Sequence, residues 1–377
     1  MFHLYLTIAY FYVLWRFIVP LPISRTWRIV LGIVVLAISK YHLILIGLYG
    51  TMFSPEFARG AVVLAGCLFC GFVLLFVLTM LGDLVGGAIA LAARKPIAVI
   101  VGWQVRAAIA ALSLGLAGVG TYQALQVPIV RQVEFSIPGL PKTFDGLRVV
   151  QLTDLHISKA FQADWVEAVV ERTNALNPDL ILVTGDVIDG TVDARRHDVA
   201  PLASLNAPMG VIAIPGNHEY YFGARQWIAE LERLGMQVLV NGHIELRRGQ
   251  DSLIVAGVAD ETAPSFGEEG PNLDKALQGV GEGAPVVLLK HRPIGAALSS
   301  TKGVGLQLSG HTHGGMIKCL DLIGAYANGG FVSGAYSVGD MHLYVSNGTA
   351  LWNGFPIRLG VPSEITEITL RTPAPAQ

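Results

Sequence analysis

The chain has 377 residues, of which 52% are hydrophobic and only 14% charged, with a formal net charge of −2. That is too apolar for a wholly soluble protein of this length, so part of the chain belongs in lipid. Charge is also divided unevenly, since residues 1–130 hold eight Lys/Arg against two acids and the remainder eighteen against twenty-six.

The N-terminal region, 1–127, is a succession of apolar runs at 4–20, 29–49, 61–92 and 107–126. A hydrocarbon core takes ~20 helical residues to cross, so these predict a membrane anchor of about four transmembrane helices. The third run is overlong and contains Asp83, which suggests tilt or an interfacial extension past Gly82. Arg16 lies near an end, where it can snorkel, while Lys40 and His42 lie deeper. A cleaved signal peptide fits poorly, because no basic start precedes the first run and further runs follow it. Cys67 and Cys70 read as small packing residues rather than a redox pair, and Cys319 stands alone, so no disulfide framework is expected.

Basic residues set the expected orientation. Arg25 and Arg28 follow the first run, and Arg94, Lys95 and Arg106 precede the fourth, whereas the middle loop offers Arg59 beside Glu56. By the positive-inside rule the first and third loops face the cytoplasm. The C-terminal region is then expected on the periplasmic or extracellular side of a bacterial inner membrane.

Residues 128–146 form a link broken by Pro128, Pro138 and Pro141, in which alternating Val133, Phe135 and Ile137 read as an edge strand. From 147 to 371 short apolar runs recur with turns and helical patterns. Strands are predicted at 147–152, 180–183, 211–214, 286–289 and 304–308, and helices at 164–176, 224–234, 272–278 and 294–300. A hairpin is predicted about 248–251, and two closing strands within 344–370 around Asn347-Gly348. The Pro/Ala-rich tail, 372–377, is expected to be disordered.

Each of the five ligand-bearing blocks follows one of those strands: Asp154-Leu-His156, Gly185-Asp186, Gly216-Asn217-His218-Glu219, His291, and Gly310-His311-Thr-His313. Carboxylate, imidazole and amide donors without thiolate suit hard or borderline divalent ions such as Mn, Fe or Zn. There are enough for two ions, and two ions about 3.5–4 Å apart are suited to phosphoester hydrolysis. His3, His42, His197, His243 and His342 lie outside the blocks and read as ordinary structural residues.

In order and spacing these blocks resemble those of the calcineurin-like metallophosphoesterases, in particular their membrane-anchored branch. The resemblance implies an α/β fold, a four-layer α-β-β-α sandwich following the N-terminal helical bundle. It also implies two divalent ions, one held by Asp154, His156 and His313, the other by Asn217, His291 and His311, with Asp186 bridging. His218 would stabilise the transition state or protonate the leaving oxygen, and Glu219 would orient its ring. Met316 stands where that branch usually has Gln.

Monoester, diester and pyrophosphate substrates all remain open. The short link to the membrane favours a lipid- or envelope-borne phosphoester, with the bilayer as a partner and no nucleic acid. The segments 260–271 and 316–339 are candidate specificity loops, the second better placed because it follows the last block. An alternative is the UDP-2,3-diacylglucosamine pyrophosphatase of lipid A synthesis, which requires the domain to face the cytoplasm. A catalytically silent scaffold on the same fold is the non-enzyme alternative, against which every ligand position is filled.

Overall fold

A computed structural model describes residues 2–373, the side chain of Ala98 excepted. The chain divides into two compact units, Met1–Ala124 with Asn353–Leu359, and Leu125–Trp352 with Gly360–Gln377. Most of the expected 372–377 tail therefore lies outside the described residues.

The first unit is helical: α1 (Phe2–Val13), continued by a π turn (Leu14–Ile18), α2 (Arg25–Ser39), α3 (Tyr41–Tyr49), α4 (Arg59–Ala93), α5 (Ile97–Ile100) and α6 (Trp103–Ala124). By length and composition α4 and α6 are long and apolar enough to cross a membrane, and α2 with α3 qualifies as one span bent by 59°. Phe2–Ile18 is a shorter apolar helix. The second apolar run is thus broken rather than continuous. Its break falls at Lys40, one residue after Ser39, whose hydroxyl donates to Leu36 O at 2.8 Å, a local bond that competes with the helical ladder.

Asp83, within α4, is fully engaged by side chains of the first helical segment. Arg16 donates to it from Nε at 2.7 Å and Nη2 at 2.8 Å, and Tyr12 Oη adds a third bond at 2.8 Å. Arg16 therefore closes a bidentate pair between α1's extension and α4. Asn353–Leu359 completes this unit. His42 Nε2 pairs with Gly354 O at 3.0 Å, Asn353 Nδ2 donates to Phe53 O at 3.1 Å, and Arg358 N donates to Gly120 O at 3.0 Å. Gly66 and Gly120 leave the notches that receive Pro356 and Ile357, because a Cβ on either would overlap them.

The second unit is built on two six-stranded sheets. Its strands are β1 (Ile129–Ser136), β2 (Leu147–Leu152), β3 (Leu180–Val183), β4 (Val211–Ala213), β5 (Gln237–Val238), β6 (Gly242–Arg248), β7 (Asp251–Gly257), β8 (Val286–Leu289), β9 (Leu306–Ser309), β10 (Gly334–Val338), β11 (Met341–Val345) and β12 (Glu364–Arg371). One sheet runs β1-β12-β2-β3-β4-β5 and the other β10-β11-β9-β8-β7-β6. Period-two alternation sorts their side chains. Leu253 and Val255 join Leu180, Leu182 and Ile212 between the sheets, while Ile254 and Ala256 face outward.

Helices α7 (Ala163–Asn174), α8 (Val192–Val199), α9 (Asn217–Tyr221), α10 (Ala224–Arg233), α11 (Leu273–Ala276), α12 (Ala296–Thr301) and α13 (Asp321–Ala327) lie between the strands in sequence. Ala276 of α11 and Ala296 of α12 pack on the outward residues of the second sheet. The result is a mixed α/β sandwich, as the sequence resemblance implies.

β1 is an edge strand, paired among the described residues only with β12. The two closing strands, however, are not partners around Asn347-Gly348, since β11 belongs to one sheet and β12 to the other. The reason lies in the intervening backbone, where Thr349 N donates to Thr153 O at 2.7 Å and Ala350 N to Asp154 O at 2.9 Å. That stretch pairs with the first ligand turn instead of folding back on itself.

Candidate metal centre

β2, β3 and β4 are parallel neighbours in one sheet, as are β8 and β9 in the other, so the turns leaving each group emerge at one edge. The turns interlock through backbone groups. Asp154 N donates to Gly185 O at 3.0 Å, His156 N to Asp186 O at 3.1 Å, and Gly310 N to His291 O at 2.9 Å. His311 N reaches both carboxylate oxygens of Asp154 at 3.1 Å, and His218 N reaches Asp186 Oδ1 at 2.9 Å. Six of the seven sequence-derived ligand positions are brought together, and the seventh, Asn217, directly precedes His218.

Five of them hold left-handed backbone angles: Asp154 (φ 53°), His156 (41°), Asp186 (52°), His311 (68°) and His313 (50°). Such angles cost roughly 1–2 kcal/mol each for a residue with a Cβ and persist where surrounding contacts over-determine them. The block glycines have a different task. A Cβ on Gly216 would strike the Asp186 carboxylate, and one on Gly310 the Asp154 carboxylate.

The donors form two clusters, Asp154–His156–His313 and Asp186–His291–His311, and a third group, His156–Asp189–His218, overlaps the first at His156. In the first, His156 Nε2 stands 3.3 Å from His313 Nε2 and 3.9 Å from Asp154 Oδ1. In the second, His291 Nε2 stands 3.2 Å from Asp186 Oδ2. Asp186 Oδ2 is also 3.8 Å from His156 Nε2, so this carboxylate lies between the clusters.

Tautomers follow from the outer bonds. His156 Nδ1 faces Asp189 Oδ1 at 3.1 Å and His291 Nδ1 faces Thr184 O at 2.8 Å, both pure acceptors. In the neutral rings each Nδ1 carries the proton and each Nε2 turns a lone pair inward. Inward lone pairs and carboxylates repel unless a cation lies among them. The buried Asn217 Oδ1 has no hydrogen-bond partner, which an amide oxygen in a dry site would otherwise have. The donor set fits divalent ions.

Without a cation, burial and neighbouring charge move these groups in opposite directions. Burial, reinforced by His291 and Arg292, pushes His311 down to about 3, keeping its ring free to ligate. Burial pushes Asp154 up, whereas His291 and His218 hold Asp186 well below the carboxylate range against the same burial. Against desolvation, Asp186 and Asp154 raise His291 to about 10, and Asp186 and Asp189 raise His218 to about 9.

The orienter of His218 is Asp189 rather than Glu219. His218 Nδ1 meets Asp189 Oδ1 at 2.5 Å, and that carboxylate is fully buried. Glu219 instead accepts three backbone N–H bonds, from Gly216 at 2.6 Å, Val187 at 2.7 Å and Asp186 at 3.0 Å, tying two ligand turns together. The available signal for Asp189 was its place in the Gly185-Asp-Val-Ile-Asp189 turn, a second acid beside a ligand.

A family model described as Calcineurin-like phosphoesterase matches residues 147–315. The transmembrane protein with metallophosphoesterase domain of Bos taurus is 36% identical over 268 residues, covering 68% of this chain and 60% of that protein. This chain thus spans less than two thirds of that relative. An uncharacterized metallophosphoesterase of Bacillus subtilis is 32% identical over 264 residues, 68% of this chain and 90% of the relative. A Campylobacter jejuni counterpart is 32% identical over 262 residues, 69% of this chain and 68% of its own length.

Proposed function

The chain belongs to the calcineurin-like phosphoesterase family, and on that premise we propose that it is a membrane-anchored, metal-dependent phosphoesterase with two divalent ions, acting on a lipid- or envelope-borne substrate. Asp154, His156 and His313 would hold one ion and Asn217, His291 and His311 the other, with Asp186 shared. When bound, such ions polarise a phosphoryl oxygen and lower the pKa of water. The observation that carries this reading is the convergence of two donor clusters on Asp186, together with a buried Asn217 oxygen that has no hydrogen-bond partner among the described residues.

His218 is not needed as a ligand. Its ring, held at Nδ1 by Asp189, turns Nε2 toward Asp186 at 3.9 Å and is placed to give a proton to the departing oxygen. Glu219 holds the turns on which Asp186 and Asn217 are carried.

Support for an amphiphilic substrate comes from α13, which follows soon after His313 and buries none of its residues. Leu322, Ile323 and Tyr326 are 76%, 70% and 93% exposed. Purified full-length protein in detergent should contain two divalent ions per chain and hydrolyse p-nitrophenyl phosphate or its bis ester, with chelation abolishing both. Metal-loaded protein inert toward both esters and toward pyrophosphates would overturn the hydrolase reading. The lipid reading is lost if a lipid phosphoester in mixed micelles is cleaved no faster than its soluble headgroup analogue.

A further inference from the structure

We infer that Arg292 is an anion-binding residue of this active site, selecting phosphoryl groups that carry two negative charges over diesters. The inference rests on the hydrolase reading above and names its substrate class: phosphomonoesters and terminal phosphates.

Arg292 directly follows the ligand-position residue His291. Its guanidinium is fixed from behind, with Nε donating to Asp260 Oδ2 at 2.9 Å and Nη2 to Thr262 Oγ1 at 2.7 Å. Asp260 is itself tied down, its Oδ1 accepting from Thr262 N at 2.8 Å. The neighbouring acid, Glu261, is paired with Lys290. The Nη1 edge of Arg292 makes no hydrogen bond among the described residues, and the side chain is 23% exposed whereas that of Asp260 is 0%. An approaching anion therefore meets the guanidinium before Asp260, while Glu261, whose Oε2 lies 4.0 Å from Arg292 Nε, is already paired with Lys290. Because the fork is already immobilised, little side-chain entropy is lost on binding.

The neighbours of Arg292 belong to the reactive side of the site. Arg292 shares the turn after β8 with His291, whose ring lies 5.1 Å from that of His311, the half-buried member of the donor set. The Tyr221 ring lies 5.1 Å from that of His218. A diester offers two charge-bearing non-bridging oxygens. A monoester or terminal phosphate offers a third oxygen and a second charge, which call for a donor outside the ligand clusters. A guanidinium is suited to that oxygen.

The test is calorimetric titration of the manganese-loaded full-length protein with inorganic phosphate and with dimethyl phosphate. Arg292→Gln should weaken phosphate by about tenfold, the equivalent of ~1.4 kcal/mol, and dimethyl phosphate by less than about twofold. Arg292→Lys should fall between, since charge without the fork is an incomplete replacement. Thr262→Val, which frees one anchor of the fork, should weaken phosphate selectively by roughly threefold. Metal content and melting temperature are measured for each variant. If Arg292→Gln loses metal or fails to fold, Arg292→Lys and Thr262→Val decide the question. Unchanged phosphate affinity in metal-replete variants, or equal weakening of both anions, overturns the assignment. A wild type that binds both anions but hydrolyses nothing would refute the hydrolase reading while the ratio of affinities still decides the role of Arg292.

Discussion

At the residue scale the roles separate by what each substitution removes. His218→Ala should retain both ions while slowing turnover by roughly a hundred- to ten-thousand-fold, most for poor leaving groups. Asp189→Asn should behave as a weaker form of the same change, because the amide oxygen can still accept from the ring while the negative charge that helps keep His218 protonated is lost. Metal analysis beside a leaving-group series checks both; metal loss in His218→Ala would refute the assigned role. Asp186→Ala, by contrast, should lose both ions, since its oxygen lies within 3.2 Å of His291 and 3.8 Å of His156. The ligand types were legible in the sequence because the chemistry demands oxygen and imidazole donors. Asp189 was not, because an acid in a turn declares its partner only when His156 and His218 approach it.

At the element scale, short apolar strands ending in ligand turns were readable within a residue or two, as β2, β3 and β8 show. The fates of α13 and β11 were not. Glycine-rich sequence around α13 carries no helical period, and the Asn347-Gly348 turn signal was overridden by bonds from Thr349 and Ala350 to the Thr153-Asp154 backbone. Gly216→Ala tests how tightly these turns are built. Its new methyl would collide with the Asp186 carboxylate, so metal affinity should fall at least about tenfold, the lower end for a disturbed ligand support. Equilibrium dialysis reads this directly. In the helical unit, Asp83→Asn should destabilise the bundle by about 3 kcal/mol, because it leaves a largely buried Arg16 without its bidentate partner. The loss should appear as a lower melting temperature in detergent and be smaller when combined with Arg16→Met.

At the scale of the whole molecule, the C-terminal part of the chain is not confined to the unit that holds the donor clusters. Asn353–Leu359 is built into the helical unit, with Ile357 seated against Gly120. Gly120→Leu should expel Ile357, exposing this segment to limited proteolysis and lowering stability by about 1–3 kcal/mol. Orientation is a further whole-molecule proposal. The distribution of Arg25, Arg28, Arg94, Lys95 and Arg106 supports an outward-facing catalytic unit if all four apolar runs cross the membrane. Protease added to intact spheroplasts should then digest that unit. Protection until lysis would favour the opposite orientation and make the lipid A precursor the first substrate to assay.

What the sequence determined by itself was the chemical inventory and its order. Apolar runs demand lipid or a sheet core, and seven ligand-type residues demand a cation wherever they meet. Tertiary structure decided which groups face which: Asp186 between the clusters, Asp189 rather than Glu219 on His218, Arg16 on Asp83, and β11 and β12 in separate sheets. Composition and period record how each residue interacts with water or lipid, whereas partnerships between residues far apart in the chain depend on backbone paths that only the folded molecule has.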